Sequence, residues 1–302
     1  MPHIGLCLPM AAADVQPNTA VEFARRAEQA GADSVWSTDR LVFSNYDPLL
    51  TLAAVAATTS RIRLGTSVLL ATLRPPALLA KMVACLDQMS GGRVTLGIGV
   101  GSRPDDFAGA EVPWDHRGGR AEELVQILRQ TWSGAPVQHT GRAYTIDVGP
   151  IGPRPVQTSV PIWFGGSAES ALRRVGRIGD GYIGGSGGGA PGFRATWDKV
   201  QRYAEEAGRD PASITPAALV YASIDDNLDR AREKALGYRH HYYGSSRGAL
   251  DLTGAPVGSV DDVVRVIHEY FAAGVDTLII GSPTASLADF DRLCGEVLPR
   301  VR

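Results

Sequence analysis

The sequence is short of several things, and each shortage removes a class of function. Its three cysteines, Cys7, Cys85 and Cys294, stand far apart in 302 residues and make no Cys-x-x-Cys pair. A disulfide framework, a zinc ribbon and a dithiol redox centre are therefore not expected, and no metal site is assigned. Buried free thiols in a reducing cytosol fit best, so the expected compartment is cytoplasmic. Charge of either sign is also lacking in excess, with a net of −2. Nothing there attracts nucleic acid or an anionic membrane surface. No apolar run approaches the roughly 20 residues that cross a bilayer. No basic segment followed by a long apolar run marks a secretory leader. Low-complexity sequence is confined to Gly184-Gly185-Ser186-Gly187-Gly188-Gly189, too short for a linker.

What the chain does have is alternation. His3 to Pro9 reads as a short buried strand. Thr19 and Glu22 have capping-box spacing for the helix that follows, and Gly31 stops it. Ala32 to Thr38 is a second strand, and Asp47-Pro48 opens a helix to about Ser60. Arg61 to Leu70 is a third strand, followed by a helix from Ala77 to Met89. Val94 to Gly101 is a fourth, and Arg117 to Trp132 a helix. The pattern then recurs through strands at 161–166, 181–184, 217–224 and 275–281, each followed by a helix.

About eight such alternations in this length predict a single (β/α)8 barrel, a TIM barrel, over residues 1–302. A doubly wound sheet is the alternative. Two stretches break the rhythm. Residues 133–160 hold a hairpin around Thr140-Gly141-Arg142, and 241–258 read as a lid bordered by His240, His241, Tyr242 and Tyr243. In such a barrel the site lies at the C-terminal ends of the strands.

Those ends carry Asp39-Arg40, then Gly99-Val100-Gly101-Ser102-Arg103, Gly165-Gly166-Ser167 and Gly184-Gly185. Glycines let backbone approach a flat ring closely. A glycine turn running into a helix N-terminus, as at Gly165-Gly166-Ser167, presents free N–H groups and suits a phosphate. His116 also sits before a helix and is read as a cap or a pocket residue. Trp36 and Trp163, in strands, are read as packing residues.

Trp-Ser-Thr-Asp, Leu-Gly-Thr-Ser-Val, Ser-Gly-Gly-Arg-Val-Thr-Leu-Gly-Ile-Gly-Val-Gly, Pro-Ile-Trp-Phe-Gly-Gly and Gly-Asp-Gly-Tyr follow one another along the chain. In that order they resemble the bacterial luciferase-like family of flavin- and deazaflavin-dependent oxidoreductases. The resemblance implies a third strand that bulges beneath the flavin ring, often through a non-prolyl cis peptide, here Ser67–Val68. It implies non-covalent FMN or coenzyme F420 held by Asp39, Thr66, Ser67, Val68, Gly99 and Gly101. The phosphate would be held by Gly165, Gly166 and Ser167, with Gly184 and Gly185 beside them. A small organic substrate, a homodimer and, for FMN, a separate flavin reductase are implied as well.

Two departures from the family pattern matter. Arg40 stands where the deazaflavin dehydrogenases carry the histidine that takes a proton from an alcohol. Ser102 stands where some of them carry a glutamate acid. Arginine stays protonated and is no base. Asp39, Arg40 and Ser102 are the catalytic candidates. Arg40 is suited to an anionic substrate or a developing oxyanion, or else pairs with a loop acid, and Asp105 or Asp106 could replace the glutamate. The functions left open are hydride transfer to an unsaturated or imine-like substrate, oxygenation, and flavin binding without turnover. An unrelated aldolase or isomerase barrel needs a catalytic lysine or a carboxylate pair at the strand ends, and Lys81, Lys199 and Lys234 fall on helices.

Overall fold

The computed structural model describes residues 2–16, 18–185, 187–244 and 251–302. Its barrel strands are β1 (His3–Cys7), β2 (Ser34–Ser37), β3 (Arg63–Thr66), β4 (Val94–Ile98), β5 (Ile162–Gly165), β6 (Gly181–Gly184), β7 (Thr215–Tyr221) and β8 (Thr277–Gly281). Each pairs in parallel with the strands before and after it, and β8 closes on β1. The eight-strand barrel expected from the alternation is therefore present. Most of the strands are buried on both faces, which is why they read as continuous apolar runs rather than alternating ones.

The outer layer of helices is α1 (Thr19–Gln29), α2 (Pro48–Ala56), α3 (Pro76–Ser90), α4 (Pro104–Gly109), α5 (Arg117–Ser133), α6 (Glu169–Ile178), α7 (Gly189–Glu206), α8 (Leu228–Tyr243), α9 (Val260–Ala272) and α10 (Leu287–Arg292). Asp47 caps α2 by accepting from the amides of Leu49 and Leu50, with Pro48 in the first turn. Ser259 and Asp262 form the capping box of α9. The Thr19–Glu22 box is not formed. Thr19 instead accepts from Gln16 N at 2.9 Å, and Glu22 binds Arg26 one turn on at 2.7 Å. The short helix α4 has no counterpart among the sequence expectations, because six residues are too few to show a period. Of the expected lid, 245–250 lie outside the described residues. Residues 241–243 complete α8, and Val257–Gly258 pairs in parallel with Ser223–Ile224.

The barrel interior is a small apolar layer built on Cys7, Trp36, Trp163, Ile183, Ala217 and Ile279. The two indoles lie 5.3 Å apart between centroids, and Trp36 Nε1 donates to Ser34 Oγ at 2.8 Å. Room for Trp36 comes from its neighbours: a Cβ at Gly65 would overlap the ring, and one at Gly5 would crowd it. The glycine inside the Leu-Gly-Thr-Ser-Val run is thus a packing device for an indole. This layer separates the mouth of the barrel from a second cavity, of about 410 Å³, at the strands' N-terminal ends.

The 133–160 insertion is the predicted hairpin, with Val137–Thr140 antiparallel to Thr145–Val148. It is tied to α5 by Glu123, whose carboxylate accepts from the amides of Arg142, Ala143 and Tyr144 and lies 3.2 Å from His139 Nε2. Burial pushes this carboxyl up, but the bonds from His139 and the amides outweigh it and hold it below the ordinary glutamate range. A lowered folded pKa gives stability that is present above the unfolded value and lost as pH falls through the folded one. We expect Glu123→Ala to lower unfolding free energy at pH 7 by about 1–3 kcal/mol. The gap between variant and parent in urea melts should shrink below about pH 4, where glutamate ordinarily titrates. A gap that is constant with pH would rule out the charged form as the anchor.

Candidate active site at the barrel mouth

The C-terminal ends of the strands open on a cleft of about 590 Å³, within the roughly 300–1,000 Å³ usual for a small-molecule site. Its floor is set by the segment after β3. The Ser67–Val68 peptide is cis, as the resemblance implied. Beyond it the chain rejoins β4, with Leu69 N donating to Gly97 O at 2.8 Å and Gly99 N to Leu69 O at 2.9 Å. The bulge places Val68, half-buried, in the mouth of the barrel. A Cβ at Gly99 would lie 2.6 Å from one Val68 methyl, and one at Gly165 2.9 Å from the other. These two glycines therefore make room for a valine of their own chain. Gly184 likewise yields to Phe193, whereas Gly185 faces open space.

Thr66 does not line the cleft. Its hydroxyl donates to Gly97 O at 2.6 Å and the residue is 1% exposed. The assignment of Thr66 to coenzyme binding is corrected: it fastens β3 to β4 beneath the bulge.

Two aspartates organise the loops above this floor. Asp39 Oδ2 accepts from Leu70 N at 2.9 Å and from Arg74 Nη1 at 2.7 Å, while Arg74 Nη2 reaches Asp47 at 2.8 Å. Asp106 Oδ1 accepts from the amides of Leu41 and Val42 at 3.0 and 2.7 Å, and its Oδ2 accepts from Arg40 Nε at 2.8 Å. The Arg40 side chain is only 8% exposed. It also donates to Val42 O at 3.2 Å and Tyr242 O at 3.5 Å. Arg40 lines the cleft, but its guanidinium is bound into the loops. The structure favours the loop-acid pairing over an anion-binding role for Arg40, and Asp106 is the acid concerned, not a free catalytic carboxylate.

After β5, Gly166 adopts a φ of 137°, and the chain enters α6 with Ala168 as an N-cap lacking a side-chain bond. The N–H groups of Gly166, Ser167 and Ala168 have no acceptor among the described residues. Gly101, Ser102, Gly165, Gly166, Ser167, Gly184 and Gly185 all border the cleft, so the strand-end candidates other than Thr66 are brought together. Ser102 is exposed. His116 is exposed, with a φ of 58°, and neither it nor His240 nor His241 borders the cleft.

The far wall is aromatic. Tyr221, Tyr242 and Tyr243 border the cleft, and Tyr242 stacks on Tyr238 with centroids 5.8 Å apart. Burial pushes the Tyr242 phenol above the ordinary phenol value, the neighbouring Thr38 side chain offsetting this only in part. Burial also pushes the Cys7 thiol, beside Ser67, up to about 12. Arg103 and Arg117 line the cleft as well. Sequence reasoning passed over both, although Arg103 directly follows Ser102 at a strand end.

The sequence matches the family model described as luciferase-like monooxygenase over residues 4–277. It is 31% identical over 328 residues to the F420-dependent glucose-6-phosphate dehydrogenase of Beutenbergia cavernae, covering 95% of this chain and 94% of that one. Two solved structures share the fold. One is the coenzyme F420-dependent tetrahydromethanopterin reductase of Methanopyrus kandleri, with a TM-score of 0.83, 24% identity, and 100% and 99% of the two chains covered. The other is the oxygenating constituent of 3,6-diketocamphane monooxygenase of Pseudomonas putida in complex with FMN, with a TM-score of 0.80, 20% identity and the same coverage.

Two outcomes are expected. Arg40→Gln leaves a buried carboxylate without its cation and should cost about 3–5 kcal/mol in denaturant unfolding. Adding Asp106→Asn should return part of that loss, and an Arg40→Gln protein as stable as its parent would contradict the pairing. Gly165→Ala should cost about 1–3 kcal/mol through overpacking. Val68→Ala in the same chain should relieve it, which a double-mutant cycle of melts would read as coupling.

Proposed function

Because the chain belongs to the luciferase-like monooxygenase family, the flavin- and deazaflavin-dependent oxidoreductases, we propose that it reduces a small organic substrate with a deazaflavin coenzyme of the F420 type. The observation that carries this is the proton inventory of the cleft. Its two carboxylates, Asp39 and Asp106, are both in ion pairs, and no histidine borders it among the described residues. Arg40 stays protonated. Nothing there is suited to take a proton from an alcohol. The Tyr242 hydroxyl, which burial keeps protonated, is suited to donate a hydrogen bond to an atom that gains electron density rather than to take up a proton. Such a cleft favours hydride delivery to an unsaturated or imine-like bond over oxidation of an alcohol. The activities of two of these relatives, both F420-dependent, support the coenzyme.

The residues present fit such a coenzyme. Three N–H groups without acceptors, at the N-terminus of the ten-residue helix α6, suit a phosphate. In this reading Gly166, Ser167 and Ala168 hold the phosphate and Val68 supports the ring. Bound there, the coenzyme supplies a hydride if it is reduced F420, or activates oxygen if it is reduced FMN. Asp39, locked by Arg74 and the Leu70 amide, keeps the loops beside the ring in place. The tyrosine wall excludes water from the reacting bond. Ser102, exposed at the rim, is a substrate contact rather than an acid. By the same reading the protein works in the cytoplasm as a homodimer. Leu41, Val42, Tyr46 and Leu50, all exposed on and before α2, support a covered face. A separate reductase is needed only for FMN.

Fluorescence quenching with each coenzyme tests this. F420 should bind, Gly166→Val should weaken it at least about tenfold, or 1.4 kcal/mol, and reduced F420 should be reoxidised by an activated alkene or imine under nitrogen. Binding of FMN alone, with oxygen consumed, would replace reduction by oxygenation. Bound coenzyme that neither a substrate panel nor oxygen reoxidises would leave a binding protein without turnover.

A further inference from the structure

We propose that Arg103 and Arg117 form an oxyanion subsite at the β4 end of the cleft, taking a carboxylate or phosphate carried by the substrate. The proposal rests on the reading of this cleft as the coenzyme and substrate site. Charge accounting carries it. Five charged side chains line the cleft: Asp39, Arg40, Arg103, Asp106 and Arg117. Asp39 is matched by Arg74 at 2.7 Å, and Asp106 by Arg40 at 2.8 Å. Arg103 and Arg117 have no carboxylate in ion-pair range among the described residues. With the two pairs set aside, the lining is left with positive charge only.

Each of these guanidiniums is also held in place by a neutral partner. Arg103 Nη2 donates to Tyr242 O at 2.9 Å, and Arg117 Nε donates to Gly101 O at 3.3 Å. A guanidinium has five N–H groups, so most on each remain available. Arg117 lies over the Trp114 ring, 3.8 Å from its centroid, and Trp114 packs edge-on against Phe107 at 5.0 Å. Both arginines are half-buried. A flat, partly desolvated guanidinium anchored through one N–H is suited to bidentate capture of an oxyanion. The anion-binding role considered for Arg40 thus passes to the two other arginines of the lining, whose charges have no carboxylate partner among the described residues.

The coenzyme itself is a rival source of the oxyanion, so the test has two arms. In the first, inorganic phosphate and acetate are titrated separately into coenzyme-loaded protein, in which the amides after β5 are already engaged. Calorimetry gives the affinity, and the fluorescence of Trp114 reports the site. At least one probe should saturate, with a Kd on the order of 1 mM. Arg103→Gln and Arg117→Gln should each weaken it about tenfold. Arg202→Gln, on the outer helix α7, should not, and Arg117→Lys should bind more tightly than Arg117→Gln. No saturable binding, binding indifferent to both glutamine variants, or equal loss in Arg117→Lys would overturn the subsite. In the second arm, F420 is compared with its deazaflavin core lacking the phosphate tail. If the glutamine variants weaken F420 but leave the core unchanged, the oxyanion belongs to the coenzyme and the assignment to substrate is overturned. If no coenzyme binds, the functional reading above fails, while the same titrations of coenzyme-free protein still decide the subsite.

Discussion

Two carboxylates taken almost wholly out of water hold the mouth of this barrel. Asp39 and Asp106 have side chains only 4% and 3% exposed. Each accepts main-chain N–H bonds from a loop that is not its own and completes its shell with one guanidinium. A buried charge is tolerable only when paired and fully hydrogen-bonded. The loops therefore have little freedom. The segment after β3 must bring Leu70 N to Asp39, and the loop after β2 must bring Leu41 and Val42 to Asp106. The place of Val68 on the floor follows from the first anchor, and Arg40, held by Asp106, reaches Tyr242 O at the wall.

The same arrangement decides which charges are left for chemistry. A buried carboxylate paired with arginine is a poor base, and a buried phenol is a poor acid but stays protonated. With Asp39 and Asp106 each paired to an arginine, the charge left on the cleft lining is positive. A positively charged lining is complementary to a group that gains electron density as it reacts.

Much of this was legible in the chain. Strand and helix alternation predicted the barrel because each element's apolar period is local. Asp47-Pro48 and Ser259 with Asp262 marked helix starts because caps act over three residues. The Ser67–Val68 bond came from family resemblance, not from local physics. What was not legible depends on distance. Arg40 meets Asp106 across 66 positions, and nothing in Asp39-Arg40 reports that meeting. Glycines told where the backbone is crowded, but not by what. At Gly65 the neighbour is Trp36, and at Gly99 and Gly165 it is Val68. Thr66 shares a motif with Ser67 and Val68, but it ends the strand and spends its hydroxyl on Gly97 O, whereas Ser67 and Val68 belong to the bulge beyond it.

The paired indoles across the barrel also set the traffic through it. Trp36 and Trp163 stand between the upper cleft and the lower cavity. A molecule that enters from above has no exit below, and water in the lower chamber has no direct line to the reacting bond. Entry and departure share one doorway. Access to the upper cleft is thus governed from its open side, with Trp36 and Trp163 as the stopper below.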